Sequence, residues 1–280
     1  MTLPAGARDV RRVGGGDINE AFQVVLADGR EAFLKTRANA HAGEYEAEAA
    51  GLRWLAEPGA VRTPEVLEIG ADYLALRWVA PGRLDAAGIE ELGRGLARTH
   101  AAAPERFGGV ASAAGEGAAR FGSLALPNDP APDWPAFYGE QRLLALARIA
   151  RERGALSAVG VQAVERVCAR LGELCGPPEP PARLHGDLWS GNVMGDERGR
   201  PWLIDPSAYG GHREVDLAML RLFGAPSERV FAAYERQWPL AEGWQERVGL
   251  YQLLPLLVHA LLFGGSYRSA AESMARRYAS

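Results

Sequence analysis

A short loop two thirds of the way along the chain carries the residue types that phosphoryl transfer requires. Asn192 follows Asp187 by five positions, and Asp205 follows Asn192 by thirteen, at the end of a short apolar run. Phosphoryl transfer needs one carboxylate beside the attacking hydroxyl and separate oxygen ligands for Mg²⁺. The spacing therefore predicts Asp187 as the catalytic residue and Asn192 and Asp205 as metal ligands. An ordinary Gly/Asn-rich turn is the alternative, but it would not require His185-Gly186 before Asp187.

The elements that would position a nucleotide beside this loop lie near the start of the chain. Residues 8–36 are predicted to form strands joined by tight turns. Gly14, Gly15 and Gly16 lie between two of these strands, where the absence of side chains lets backbone amides approach phosphates. The next hairpin returns to Lys35, which would contact the α- and β-phosphates. A flexible turn and a solvated lysine are the alternative interpretations.

The helix predicted from His41 to Glu57 supplies candidate partners for Lys35. A glutamate on this helix can hold the lysine by an ion pair. We favour Glu48 for this position, and Glu44, one turn earlier, is the alternative.

The strand that ends this region is interpreted as a hinge beside the adenine. Backbone groups of Arg77 and Val79 would pair with the base, and Leu76 would border the back of its pocket. A core strand over residues 73–79 is compatible with the same pattern. The expected division is a nucleotide-binding lobe (1–79), a linker (80–84) and a catalytic and acceptor-binding lobe (85–280).

Beyond the linker the apolar pattern is mainly helical. Helices are expected over 85–103, 134–153, 157–175, 213–223, 228–237 and 243–263, and the Gly-, Ala- and Pro-rich stretch 105–132 is expected to be irregular. A small antiparallel-sheet lobe followed by a larger helical lobe predicts an α+β, two-lobed, protein-kinase-like fold.

Charge and composition restrict the partners. The 280 residues include 31 Lys+Arg and 35 Asp+Glu, a net charge of −4, which argues against nucleic acid or an anionic membrane surface. The chain has neither a membrane-spanning apolar run nor a signal peptide, so a cytoplasmic protein is expected. Cys168 and Cys175 lie on one predicted helix, too far apart for a disulfide, and should be free thiols. The oligomeric state is not settled by the sequence, and a monomer is slightly favoured.

The loop residues also carry a family resemblance. Residues 184–192 and 204–219 resemble the signatures of the fructosamine kinases, also called ketosamine-3-kinases, and 137–142 and 262–265 are further matches. Aminoglycoside and choline kinases share His-Gly-Asp, the Asn and the second Asp. They generally lack Leu-Trp-Ser after the first Asp and Gly-His-Arg-Glu after the second. The similarity runs from about residue 8 to about residue 270.

The resemblance implies ATP- and Mg²⁺-dependent phosphorylation of the 3-hydroxyl of a ketosamine, either a small molecule or a glycated protein. The 3-phosphate is unstable, so the sugar leaves and the amine is restored, which is deglycation repair. Asp187 would be the base or orienting carboxylate, Asn192 and Asp205 the Mg²⁺ ligands, and Lys35 the phosphate contact. A kinase of the aminoglycoside or choline type and a non-catalytic nucleotide-binding protein are the alternatives.

Further residues in these signatures are candidates for acceptor binding or for support of the loop. Trp189 is predicted to form an apolar wall beside the acceptor or to pack in the core. The run His212, Arg213 and Glu214 would contact acceptor hydroxyls or the amine, or would cap the helix that begins there. His185 and Asp216 are predicted to brace the loop. Ser207 stands where the family more often has Ala.

Overall fold

A computed structural model describes residues 3–14, 19–38, 40–110 and 119–280. Gly15 and Gly16, two of the predicted phosphate contacts, lie outside the described residues, whereas Gly14 lies within them. The described chain has the two-lobed, mixed α/β architecture that the sequence predicted.

The first lobe is a five-stranded antiparallel sheet with one helix. The strands are β1 (Arg8–Arg12), β2 (Glu20–Val25), β3 (Glu31–Thr36), β4 (Val66–Gly70) and β5 (Tyr73–Arg77), in the order β1-β2-β3-β5-β4. Helix α1 (Glu44–Ala56) buries Tyr45 and Leu52 against Leu74 and Leu76 of β5. Because side chains alternate along a strand, Ala75 lies on the opposite face, in a second apolar cluster. Lys35 therefore lies near the end of a central strand that is held in place on both sides.

The second lobe is mainly helical. Its helices are α2 (Ala86–Ala101), α3 (Trp134–Phe137), a π-helical turn (Tyr138–Leu144), α4 (Ala145–Glu152), α5 (Ala158–Ala169), α6 (Leu171–Leu174), α7 (Glu214–Leu222), α8 (Arg229–Gln237), α9 (Trp244–Leu262) and α10 (Ser266–Tyr278). Its strands are short: β6 (Pro81–Gly82), β7 (Gly108–Gly109), β8 (Ala119–Phe121), β9 (Leu124–Leu126), β10 (Ala182–Leu184), β11 (Val193–Asp196), β12 (Pro201–Leu203) and β13 (Tyr209–Gly211).

Several elements differ from the sequence-based expectation. The helix predicted over 134–153 contains a π-helical turn, and the one predicted over 157–175 is interrupted at Arg170. The stretch 105–132, expected to be irregular, contains three short strands. Helix α10 was not predicted, because its buried face consists of the small residues Ala271 and Ala275 and shows no strong apolar period.

The π-helical turn positions one of the motif residues in the core. Arg142 is fully buried, with its guanidinium over the rings of Phe137 and Tyr209 at 4.5 and 4.3 Å. It donates to the Pro127 carbonyl oxygen at 2.6 Å and to Asn128 Oδ1 at 2.8 Å. The match of residues 137–142 to the family therefore reflects a structural cluster within the second lobe.

Short strands place the predicted site residues next to one another. The loop between β10 and β11 contains Asp187 and Asn192, and β11 pairs with β12, after which Asp205 follows. Strand β6 lies within the stretch predicted as a linker, but it pairs with β11. At Pro81 the chain is therefore already part of a sheet in the second lobe.

Among the described residues, no helix is sufficiently long and apolar to span a bilayer.

Close packing between α2 and α8 makes the second lobe sensitive to volume at Gly93. A Cβ added there would lie 2.2 Å from the Val230 carbonyl oxygen and 2.9 Å from the Ala233 Cβ. Backbone at that distance cannot move aside cheaply, so the glycine is required by the helix contact rather than by its own helix propensity.

We expect Gly93→Ala to lower the free energy of unfolding by about 1–3 kcal/mol, the usual cost of overpacking, even though Ala favours a helix by about 1 kcal/mol. Gly172→Ala on α6 is the matched control, because a Cβ there meets nothing within 4 Å. Chemical denaturation of both variants measures the difference. A Gly93→Ala variant as stable as the wild type would contradict the packing argument.

Candidate active site

The loop after β10 is held in place through hydrogen bonds to its backbone and through close packing at Gly186. Gly186 has a φ of +82°, and a Cβ there would lie 2.0 Å from the Ser207 carbonyl oxygen, so glycine alone fits this position. The backbone N–H groups of His185 and Gly186 donate to Asp216 Oδ2 and Oδ1 at 2.7 and 2.9 Å. His185 Nε2 lies 2.9 Å from the Ile204 carbonyl oxygen. His185 and Asp216 thus both make hydrogen bonds that hold the backbone of this region in place.

Asp216 is fully buried and has a further partner that the sequence analysis missed. His100 Nε2 lies 3.3 Å from Asp216 Oδ2, and the Tyr234 hydroxyl lies 2.9 Å from His100 Nδ1. Burial would raise the pKa of Asp216, but the hydrogen bonds from His100 and the Gly186 backbone outweigh it and lower the pKa. No local sequence pattern indicates this contact, because His100 lies 116 positions from Asp216.

Asn192 orients the carboxylate predicted to be catalytic. Its Nδ2 donates to the backbone oxygen of Asp187 at 2.8 Å and to Asp187 Oδ2 at 3.0 Å. Both donors of the amide are used in this way, so its oxygen is left to face another ligand. Burial raises the pKa of Asp187 to about 7, and the Asn192 hydrogen bond opposes that shift.

Asp205 adopts a strained backbone conformation directly after β12. Its φ is +53°, a left-handed value that few non-glycine residues adopt and that is found most often at functional sites. Its side chain is 40% exposed, whereas its partner Lys35 is 11% exposed. Asp205 is therefore accessible to a ligand, while its Oδ1 is bound by Lys35.

Lys35 joins the two lobes through its ammonium group. Nζ lies 2.8 Å from Glu48 Oε2 on α1 and 3.0 Å from Asp205 Oδ1. Burial alone would lower the pKa of Lys35, but these carboxylates outweigh it and raise the pKa, so the lysine stays charged. Burial raises the pKa of Glu48, and Lys35 opposes that shift. Glu44, the alternative partner, pairs with Arg37 instead.

A cavity of about 880 Å³ lies between the lobes, and several of the predicted site residues line it. Its lining includes these predicted residues: Gly14, Leu76, Arg77, Val79, Asp187, Trp189, Asn192 and Asp205. The Arg77 N–H is donated to the Glu65 carbonyl oxygen at 2.8 Å, and the Trp78 N–H to Glu31 at 3.1 Å. Any base pairing at the hinge therefore has to use the Arg77 carbonyl or the Val79 N–H.

Three of the candidate acceptor residues do not reach this cavity. His212, Arg213 and Glu214 are buried, and their side chains are occupied by internal contacts. Arg213 binds both oxygens of Glu179 at 2.7 Å, and Glu214 binds Arg247 at 2.6 and 2.9 Å. The prediction that they contact the acceptor is therefore wrong. A buried charge is stable only when it is paired, and the partners of Arg213 and Glu214 lie inside the protein.

His212 is likewise part of the core. Its ring stacks on Tyr251 at 5.2 Å between centroids and lies 5.9 Å from Trp134. Burial lowers its pKa to about 4, which keeps the imidazole neutral. Trp189, by contrast, lines the cavity and is 39% exposed.

The departure at Ser207 has a structural counterpart. Its hydroxyl donates to the Arg120 carbonyl oxygen at 2.6 Å, which ties β8 to the segment after Asp205.

Cys168 and Cys175 are free thiols, as expected, and burial raises the pKa of each to about 12.

A sheet lobe, a helical lobe and a carboxylate loop between them define a protein-kinase-like phosphotransferase. The fold is shared with an aminoglycoside phosphotransferase solved with ADP and hygromycin B, at a TM-score of 0.61 and 20% identity, over 98% of this chain and 94% of that one. That likeness establishes the fold alone.

Closer relatives identify the family. A family model for fructosamine kinase matches residues 3–280. A probable ketoamine kinase of Lactiplantibacillus plantarum is 36% identical over 277 residues, covering 97% of this chain and 94% of the relative. Protein-ribulosamine 3-kinase from Arabidopsis thaliana chloroplasts is 33% identical over 275 residues, covering 95% and 81%. The crystal structure of a candidate fructosamine-3-kinase from Thermobifida fusca gives a TM-score of 0.88 at 42% identity, covering 98% and 93%. The chain belongs to the fructosamine kinase family and is a phosphotransferase.

The structural assignment of Glu214 can be tested through its partner. Arg247→Met leaves the Glu214 carboxylate buried without a counter-charge, and we expect the free energy of unfolding to fall by about 3 kcal/mol. The double variant with Glu214→Gln removes that stranded charge and should recover part of the loss. Urea denaturation measures both.

The matched control is Arg151→Met, which removes a pair with Glu165 whose side chains are 61% and 44% exposed. Such a surface pair contributes about 0–1 kcal/mol. If Arg247→Met is as stable as the wild type but has a raised KM for the acceptor, the structural role of Glu214 is wrong. Glu214 would then be assigned to acceptor binding.

Proposed function

We propose that this protein transfers the γ-phosphoryl group of ATP to the 3-hydroxyl of a ketosamine. The observation that carries the proposal is the meeting, in one cavity, of Asp187 held by Asn192 and Asp205 held by Lys35. The kinship with proteins named ketoamine kinase and ribulosamine 3-kinase supports the choice of acceptor. Loss of the sugar from the 3-phosphate would restore the amine, so the physiological role that we propose is deglycation.

The nucleotide would lie under the first lobe. Its base fits the apolar part of the cavity between Phe33, Leu76 and Ile204, beside the hinge at Arg77 and Val79. Its phosphates would be contacted by Lys35, which Glu48 holds in position, and by the backbone at Gly14. Gly15 and Gly16 remain predicted contacts. The division into residues 1–79, 80–84 and 85–280, a cytoplasmic location and a monomeric state are also proposed.

The oxygens available near Asp187 fit a magnesium ion. Asp205 offers a partly exposed carboxylate, and Asn192 offers the amide oxygen that Asp187 leaves unused. Mg²⁺ binds one or two protein carboxylates, with phosphate oxygens and waters completing its shell. In the described part of the chain, no group of three or more His, Cys, Asp and Glu side chains is arranged to hold a metal ion. When bound, the ion would neutralise charge on the phosphates.

Asp187 would accept the hydrogen bond of the acceptor hydroxyl and receive its proton during the transfer. The Asn192 amide fixes the direction of the carboxylate, and Asp216 fixes the backbone that carries it. A pKa near 7 makes Asp187 a better proton acceptor at neutral pH than an ordinary aspartate. We propose that the phosphoryl group is transferred directly to this hydroxyl, without a phosphoenzyme.

Asp187→Asn tests the proposal. We expect kcat on a ketosamine to fall by about 10²–10⁴-fold, because the side chain no longer accepts a proton, while the Kd for Mg-ATP stays within a few-fold. ATP consumption on fructosyl-lysine, ribulosyl-lysine, choline and kanamycin provides the measurement, and Asp129→Asn, an exposed carboxylate outside the cavity, is the control.

The same panel separates the competing activities. Ketosamine turnover that is lost in Asp187→Asn supports the proposal. Turnover confined to choline or kanamycin would overturn the acceptor, and undiminished turnover in the variant would remove Asp187 from its role.

Asp205→Asn tests the metal-binding role separately. We expect the affinity for ATP in the presence of Mg²⁺ to fall by at least about tenfold, because a neutral amide is a weaker ligand for Mg²⁺. Titration calorimetry with and without Mg²⁺ gives the two affinities. An equal loss under both conditions would assign Asp205 to holding Lys35 rather than the metal.

A further inference from the structure

Beyond Asp187, the cavity is bordered by a cluster of rings that the proposed transfer step does not use. We call this cluster the aromatic wall; it consists of Trp189, Phe223, His259, Phe263 and Tyr267, all of which line the cavity. The ring of Phe223 lies 4.6 Å from that of His259 and 6.4 Å from that of Trp189. The ring of Tyr267 lies 5.0 Å from that of His259.

Four separate elements build the aromatic wall, and one of them is the loop between β10 and β11, which carries both Asp187 and Trp189. Phe223 directly follows α7, His259 and Phe263 lie at the end of α9, and Tyr267 lies in the first turn of α10. The Ser190 hydroxyl donates to the Phe223 carbonyl oxygen at 3.3 Å. The position of the wall is therefore tied to the loop that carries Asp187, and the rings line the same cavity as Asp187.

The aromatic wall is partly open to solvent. Trp189 is 39% exposed and Phe263 is 56% exposed, among the few large apolar side chains in the described residues that are exposed at all. Exposed aromatic rings at the rim of a cavity are typical of a surface that a ligand covers. The exposure is located where the non-reacting part of an acceptor would leave the cavity.

The aromatic wall is also without formal charge. The charged side chains that line the cavity are Arg77, Asp187 and Asp205, and these belong to the hinge and to the loop. His259 Nδ1 lies 2.8 Å from the Pro255 carbonyl oxygen, and burial lowers the pKa of the imidazole, so it is neutral. A carboxylate placed on this wall would lose water without gaining a partner, which is unfavourable.

We infer that the aromatic wall binds the substituent on the amine of the acceptor, and that it selects free ketosamines whose amine carries an aromatic or apolar group. The inference rests on the proposed function, because the reacting hydroxyl must lie at Asp187. The rings bury an apolar substituent, and the faces of Trp189 and Phe223 attract the protonated amine itself. The wall thus determines the substrate class, whereas Asp187 determines the reaction.

Three acceptors that share the sugar and differ in the amine substituent test this inference: N-benzyl-, N-methyl- and N-carboxymethyl-fructosamine. We expect the wild-type kcat/KM to be at least about tenfold higher for N-benzyl than for N-methyl, since apolar groups in a pocket discriminate on this scale. N-carboxymethyl-fructosamine is expected to be the poorest acceptor of the three.

Phe263→Ala and Tyr267→Ala should each lower kcat/KM for N-benzyl-fructosamine by a larger factor than kcat/KM for N-methyl-fructosamine, mainly through KM, so that the N-benzyl preference falls. Val159→Ala on α5 is the matched control, because Val159 is 57% exposed and lies outside the cavity. Thermal unfolding of each variant establishes that the fold is retained.

The outcomes are distinguishable. Equal wild-type efficiency on the N-benzyl and N-methyl acceptors, or a preference that survives both substitutions, overturns this inference and leaves the proposed function standing. A glycated lysine peptide consumed more efficiently than the N-benzyl acceptor also overturns it, in favour of protein-bound substrates. No turnover of any ketosamine overturns the proposed function, and this inference with it.

Discussion

The contact of Lys35 with Glu48 and Asp205 is the interaction on which the site depends. One ammonium group touches a helix of the first lobe and a strand end of the second, at 2.8 and 3.0 Å. Burial lowers the pKa of a lysine, and the two carboxylates outweigh that effect at Lys35. These three groups meet between the lobes, next to the left-handed backbone at Asp205.

Charges that are buried away from the cavity explain the rigidity of the catalytic loop. Asp216 receives two backbone N–H groups of that loop and a contact from His100, so the backbone before Asp187 has little freedom. Glu214 and Arg213, close by in the chain, are paired with Arg247 and Glu179. Such pairs contribute little net free energy to folding, because burying both charges is costly. Removing one partner, however, would leave an uncompensated charge in the core.

The cavity divides into regions of different polarity. Asp187, Asn192 and Asp205 give it a polar lining, and the rings of the aromatic wall give it an apolar one. The Leu-Trp-Ser sequence links the two regions. Leu188 is buried in the second lobe, Trp189 faces the cavity, and Ser190 binds the carbonyl of Phe223. This motif therefore connects the loop that carries Asp187 to the aromatic wall.

The sequence by itself determined the features that depend on local spacing. Asp187, Asn192 and Asp205 were predicted from their separations, because a tight loop and a hairpin fix where such residues can point. Lys35 and Glu48 were predicted from strand and helix patterns, and the structure pairs them.

Contacts between distant segments were decided by the tertiary structure alone. His100 meets Asp216, Arg247 meets Glu214, and Phe223 meets His259 only after helices far apart in the chain have packed. The burial of Arg213 and Glu214 is of this kind, so the sequence leaves both acceptor contact and helix capping open for this charged run. Periodicity reports which face of a helix is apolar, but it does not report which charged residue on another helix lies opposite. That choice depends on packing, since burial makes each charge require a specific partner.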